Sequence, residues 1–138
     1  HVEMTQRRFN KLKLLTNGTY ESLNQEAPIA LMPWGGTKGP SMEAYKLLTK
    51  QNISLGWVYT MFLNPLPKTL LTQLREKELV IVPELNFMGQ WSSILRSHGI
   101  NAVSITQYTG LPFKVPDLAQ RILNIVQSPQ KRTVTICH

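Results

Sequence analysis

The chain has 138 residues, 42% hydrophobic and 17% charged, with a formal net charge of +7. That length suits one domain burying roughly two-thirds of the surface its unfolded form exposes, and that composition excludes a disordered chain. No apolar run approaches the roughly 18 residues that cross a bilayer, and no signal-peptide pattern is present, so no membrane partner is expected.

Residues 5–15 read as a short basic helix, with Met4, Phe9, Leu12 and Leu15 at roughly helical spacing. Asn17-Gly18 ends it. Residues 19–23 suit a short strand, and residues 24–28 a turn. The compact apolar run 29–34 reads as a buried strand. Gly35, Gly36 and Gly39 then make a loop. A helix is expected from Pro40 or Ser41 to about Gln51, with Met42, Tyr45 and Leu48 on one face. Residues 53–63, rich in β-branched and aromatic types, read as the next strand.

Asn64-Pro65-Leu66-Pro67 is a rigid connection. Residues 68–77 follow as a helix with Leu70, Leu71 and Leu74 inward. Residues 79–83 are the third apolar strand. Residues 87–98 are a helix in which Phe87, Trp91, Ile94 and Leu95 share a face, and Gly99 sits where a helix stops. A fourth core strand spans 102–106. The last helix spans 115–126, with Leu118, Ile122 and Ile125 inward. The tail offers an edge strand at 133–136.

Strands alternating with helices predict a parallel sheet covered on both faces. In a doubly wound sheet the strand at 29–34 sits centrally, between those at 53 and 79. The ligand crevice then lies outside the carboxyl ends of 29–34 and 79–83, where the chain reverses direction. That sets "PWGGTKG" opposite "ELNFMGQ".

The loop Trp34, Gly35, Gly36, Thr37, Lys38, Gly39 follows a strand and opens a helix. Backbone N–H groups there attract anions, yet the spacing is neither GxGxxG nor a Walker loop. A tight turn needs glycines anyway, so a bare turn and an anion or partner contact both stand. Glu84, at a strand end, is a candidate general base if it faces a substrate. It is also a candidate cap for the next helix, and capping is the favoured role. Asn86 and Gln90 are neutral hydrogen-bonding groups suited to holding a partner loop.

His1, His98 and His138 have no partners at metal-ligand spacing. Ser92 and Ser93 lack a GxSxG elbow. Asp117 is the only aspartate, and paired carboxylates are hard to assemble around it. Catalytic, cofactor-binding and metal residues are therefore expected to be absent from this chain. The basic residues cluster only near the two ends, with no interleaved aromatics, which argues against nucleic acid and for solvated faces or a docking surface for acidic partners. Cys137 is the single cysteine, so no disulfide closes within the chain and a reducing, cytoplasmic setting is expected. The sequence opens on His1 rather than Met, which suits a fragment of a larger protein.

The order of motifs says more than any one of them. "IALMPWGGTKGPSMEAYKLL", "LNPLP", "KELVIVPELNFMGQWSSILRSHGI" and "TGLPFKVPDLAQRI" together resemble the C-terminal domain of the alpha subunit of 2-oxoacid:ferredoxin oxidoreductases. The most specific pieces are Glu84-x-Asn86 with Gly89-Gln90, and Gly110-x-Pro112-Phe113. The leading "RRFNKL" resembles the segment joining this domain to the one before it. The glycine loop with Glu43-Ala44 also resembles transketolase C-terminal domains.

The resemblance implies a three-layer α/β/α domain over 19–138, with a mostly parallel sheet of about five strands and one antiparallel edge strand. Residues 1–18 would be a linker helix. It implies a parent enzyme that oxidatively decarboxylates a 2-oxoacid to an acyl-coenzyme A, passing electrons to ferredoxin. Thiamine diphosphate, magnesium and an iron–sulfur cluster would be bound by other domains and a beta subunit. This domain would serve assembly rather than catalysis. Trp34, Gly35, Thr37, Lys38, Glu84, Asn86, Gly89 and Gln90 carry over as crevice or interface positions. A torn-out domain would also be prone to homodimerise. The rival expectations are a free-standing module binding an anionic small molecule at Gly35–Gly39, and a basic nucleic-acid-binding domain.

Overall fold

A computed structural model describes residues 20–60, 67–85, 90–107 and 111–128. Among them are five strands and four α-helices. In chain order these are β1 (Tyr20–Leu23), β2 (Ile29–Leu31), a 3-10 turn (Gly35–Thr37), α1 (Lys38–Lys50), β3 (Gly56–Thr60) and α2 (Lys68–Arg75). Then come β4 (Leu79–Glu84), α3 (Gln90–Ser97), β5 (Ala102–Thr106) and α4 (Val115–Val126). The expected helix at 5–15, the linker and the tail strand at 133–136 lie outside the described residues.

The strands form one sheet in the order β1-β3-β2-β4-β5. β3, β2, β4 and β5 run parallel, and β1 pairs antiparallel with β3 at one edge. β2 is therefore central with β3 and β4 beside it, as the alternating pattern predicts. All six residues of β4 are buried, because a parallel strand covered on both faces meets water on neither.

Period-two alternation splits the core in two. Leu79 and Ile81 face a cluster with Ala44, Tyr45 and Leu48 of α1 and Leu118 of α4. Val80 and Val82 face a cluster with Leu70 and Leu74 of α2 and Trp91 and Leu95 of α3. The architecture is three-layered, with α1 and α4 on one face and α2 and α3 on the other. Each large apolar side chain so buried contributes about 1.5–3 kcal/mol of transfer free energy.

Several boundaries differ from expectation, each for a local reason. α1 begins at Lys38, earlier than Pro40; first-turn N–H groups need no intrahelical acceptor, so Pro40 fits there without cost. β3 starts at Gly56 rather than at 53, because the Ile53 N–H closes the end of α1 on Leu48 O at 3.0 Å. β2 ends at Leu31. Among described residues α3 starts at Gln90. Ile94 does not face inward: it is 42% exposed, because the buried side of α3 runs through Trp91, Ser92 and Leu95. β5 and α4 fall where the sequence places them, and Gly99 follows α3 at a φ of 81°, a conformation glycine adopts without strain.

The amino end of β4 is pinned by a lysine, a residue type that usually faces solvent. Lys77 is 8% exposed, and its Nζ donates to Gln25 O and Ala27 O of the β1–β2 connection. Burial pushes its ammonium pKa down, against the smaller upward pull of Glu26 and Glu76.

Candidate functional site

The parallel ladder between β2 and β4 pairs Ile29 with Leu79, Ala30 with Val80 and Leu31 with Ile81. Continued past Leu31, that register sets Pro33 against Pro83. Neither proline offers a backbone N–H, so past Leu31 the ladder thins to the bonds from Met32 and Trp34 before the two strands part. The point of parting is the topological switch of the sheet, where α/β proteins place their crevices.

The walls are tied together at the base. Met32 N–H donates to Ile81 O at 2.8 Å, and Trp34 N–H to Pro83 O at 3.2 Å. The Thr37 hydroxyl, buried, lies 2.8 Å from both Pro83 O and Trp34 O and accepts from Trp34 N–H at 3.0 Å. Gly35 supplies a φ of 63° that lets the chain fold back. The Trp34 ring stacks on Trp91 of α3, with centroids 5.0 Å apart and planes 24° from parallel. The glycine loop is thus seated on its opposite wall by backbone bonds and one aromatic pair.

Glu84 is fully buried at the carboxyl end of β4. Its Oε1 accepts from Trp91 N–H at 2.7 Å. Its Oε2 accepts from Ser92 N–H at 3.2 Å and from the Ser104 hydroxyl at 3.0 Å. One carboxyl therefore satisfies two free N–H groups in the first turn of α3 and ties that turn to β5. This is the capping role, with the start of α3 filled from within rather than open to an external anion.

The remaining sequence candidates spread apart. Lys38 points to the β1 edge, where its Nζ lies 3.6 Å from Glu21 and 4.2 Å from the Tyr59 ring centroid. Gln90 is exposed at the start of α3. Asn86 and Gly89 lie outside the described residues. Among the described residues, no group of three or more His, Cys, Asp or Glu is placed to hold a metal, and no helix is long and apolar enough to cross a membrane.

Among the described residues, the sequence reading missed four charged ones that donate to backbone carbonyls: Arg75 to His98 O, Arg96 to Ala102 O, and two more. One is Lys77. The other is Arg121 of α4, whose Nη1 donates to Thr106 O at 3.1 Å and whose Cζ lies 6.0 Å from the Phe113 ring centroid. Their charge makes both read as solvated, although each lies three residues past a buried leucine, Leu74 and Leu118, and no local motif marks them.

Compared with models of known protein families, the chain matches none. Compared with individual proteins, it is similar to 2-oxoacid:ferredoxin oxidoreductase 1, subunit alpha, from Aeropyrum pernix, at 25% identity over 95% of this chain and 22% of that protein. It is similar to 2-oxoglutarate oxidoreductase subunit KorA from Mycobacterium tuberculosis, at 30% identity over 70% of this chain and 15% of that one. Among solved structures, it superposes on a 2-oxoglutarate:ferredoxin oxidoreductase from Magnetococcus marinus with a TM-score of 0.71 and 30% identity, over 92% of this chain and 23% of that one. That structure holds 2-oxoglutarate, coenzyme A and succinyl-CoA. The chain spans about a fifth of the length of the curated relative from Aeropyrum pernix. By sequence and by fold, this chain is homologous to a domain-sized segment of the alpha subunits of 2-oxoacid:ferredoxin oxidoreductases.

Proposed function

We propose that the chain is the C-terminal, assembly-forming domain of a 2-oxoacid:ferredoxin oxidoreductase alpha subunit, preceded by a linker over residues 1–18. The parent enzyme oxidatively decarboxylates a 2-oxoacid to an acyl-coenzyme A, with ferredoxin taking the electrons. The domain packs against the rest of its own subunit and a beta subunit in the cytoplasm, and of the interface positions that the resemblance implies, the exposed Gly35 and Gly36 of the glycine loop and Gln90 of α3 are the described ones open to such a contact. The isolated domain dimerises through the same face.

The observation that carries this reading is the state of Glu84. Among the described residues it is the carboxyl at the switch point, and both its oxygens accept from Trp91, Ser92 and Ser104. Three of its roughly four acceptor sites are filled and the residue is fully buried, so the group serves the fold rather than a substrate. The thiamine diphosphate, magnesium and iron–sulfur chemistry of the parent enzyme therefore belongs to its other parts. The fraction of the relatives that this chain spans supports the same division.

The test is the size of the natural protein. An antibody raised to this chain precipitates the antigen from its source cells, and the mass and companions are recorded. A much longer chain, with a smaller partner subunit carrying thiamine diphosphate, is expected. A free chain of 15.7 kDa without such a partner overturns the reading. So does 2-oxoacid decarboxylation by the purified chain alone.

A further inference from the structure

We propose that Arg121 anchors a subsite for an oxyanion, a carboxylate or a phosphate group, at the carboxyl end of β5. The inference rests on geometry within this chain and not on the parent-enzyme reading.

Arg121 lies on α4, and its guanidinium is held twice. Nη1 donates to Thr106 O at 3.1 Å, and the group sits over the ring of buried Phe113. Thr106 ends β5 and pairs with Glu84 across the β4–β5 ladder, so the guanidinium stands at the edge of the sheet where α/β proteins bind ligands. A guanidinium carries five N–H donors in a planar fork. The Thr106 carbonyl uses one of them, and no other described residue accepts from the rest.

Among the described residues no acid pairs with this charge. Asp117 lies four residues before Arg121 on the same helix, the spacing at which an acid and an arginine pair. The ion pairs among the described residues join Lys38 to Glu21 and Lys46 to Glu43, and none includes Arg121. Glu84, opposite on the ladder, has both oxygens taken. The other described arginines differ in setting: Arg75 reaches His98 O from an exposed position, and Arg96 spends two nitrogens on Ala102 O and Ser93 Oγ. A cation pinned in place loses little side-chain entropy on meeting an anion, and the planar fork suits bidentate oxygen pairs.

The test follows the arginine Nε–Hε signals by NMR at constant ionic strength. Sodium phosphate and sodium acetate are titrated separately into the intact chain. A saturable shift of the Arg121 signal is expected, while Arg75 and Arg96 show at most a small linear drift. Saturation with phosphate alone assigns a phosphate-bearing ligand, and saturation with acetate alone a carboxylate. Arg121→Lys should weaken the response, read on the neighbouring backbone amides, roughly tenfold, since a point charge replaces the fork. Arg121→Gln should abolish it, with the rest of the amide spectrum unchanged as the check on folding. No saturation with either salt overturns the proposal. Equal movement of all three arginines means an adventitious ion only, and overturns it too.

Discussion

The two ends of β4 carry buried charges of opposite sign, and each is answered mainly by backbone. At the amino end, Lys77 gives its protons to the carbonyls of Gln25 and Ala27. At the carboxyl end, Glu84 receives the N–H groups of Trp91 and Ser92 and the hydroxyl of Ser104. Lys77 staples a turn between two strands. Glu84 staples the first turn of a helix to a neighbouring strand. The difference lies in what surrounds them. Lys77 keeps Glu26 and Glu76 close enough to offset part of its burial, whereas the three donors to Glu84 are all hydrogen-bonding groups without formal charge. A buried acid at the ligand-binding edge of an α/β sheet is thus no sign of catalysis by itself. Its hydrogen-bond partners decide.

The sharpest way to break this comparison is to remove Glu84. Glu84→Ala leaves two helix N–H groups and a serine hydroxyl without their acceptor, so a loss of about 2–4 kcal/mol in unfolding free energy is expected. Glu84→Gln keeps one acceptor oxygen and should lose about half of that. Urea unfolding monitored by far-UV circular dichroism reads both. A catalytic base held apart from the fold would give the opposite result, with unchanged stability in both variants.

Lys77→Met comes next. The stem stays packed while two carbonyls lose their donor, and the loss is about 1–2 kcal/mol because the exposed Gln25 end of the turn can reach water. The same unfolding measurement ranks it. If Lys77→Met proved as costly as Glu84→Ala, the two ends of β4 would be equal anchors and the asymmetry argued above would be gone.

The sequence foretells much of this and misses part for physical reasons. The central place of β2, the presence of a strand at β1 and the bounds of β5 and α4 follow from apolar periodicity and turn residues, whereas the antiparallel edge position of β1 follows only from the family resemblance. Periodicity reports which residues avoid water, so it finds cores. It does not report which long polar side chain bends back over a neighbouring loop. Lys77 follows the last turn of α2, where a lysine reads as solvated, and only the fold brings it to Ala27. Glu84 was legible as a cap because an acid between a strand and a helix has few other uses. Lys38, expected in the loop, opens α1 instead, and its turn toward Glu21 and Tyr59 depends on β1 pairing with β3, which no local signal near Lys38 encodes. Ile94 was misjudged because the Glu84 bonds draw the Trp91–Ser92 side of α3 toward the sheet and leave Ile94 on the flank.

The smallest effect concerns pH. Burial holds the Lys77 ammonium pKa below the ordinary lysine value of 10.5. Below the folded value, the group is charged in both states and the burial penalty is present in full. Between the folded value and 10.5, the unfolded chain binds more protons than the native one, so this residue makes stability rise with pH. Above 10.5 both states are neutral and the penalty is gone. Wild type should therefore gain on Lys77→Met as the buffer moves from neutral to about pH 10, near the ordinary lysine value. The reading is the difference in urea midpoint between the two proteins at each pH, which cancels the titration of every other group they share. A difference that stays constant or shrinks would mean that Lys77 keeps an ordinary proton affinity, and that the carbonyls of Gln25 and Ala27 solvate it as well as water does.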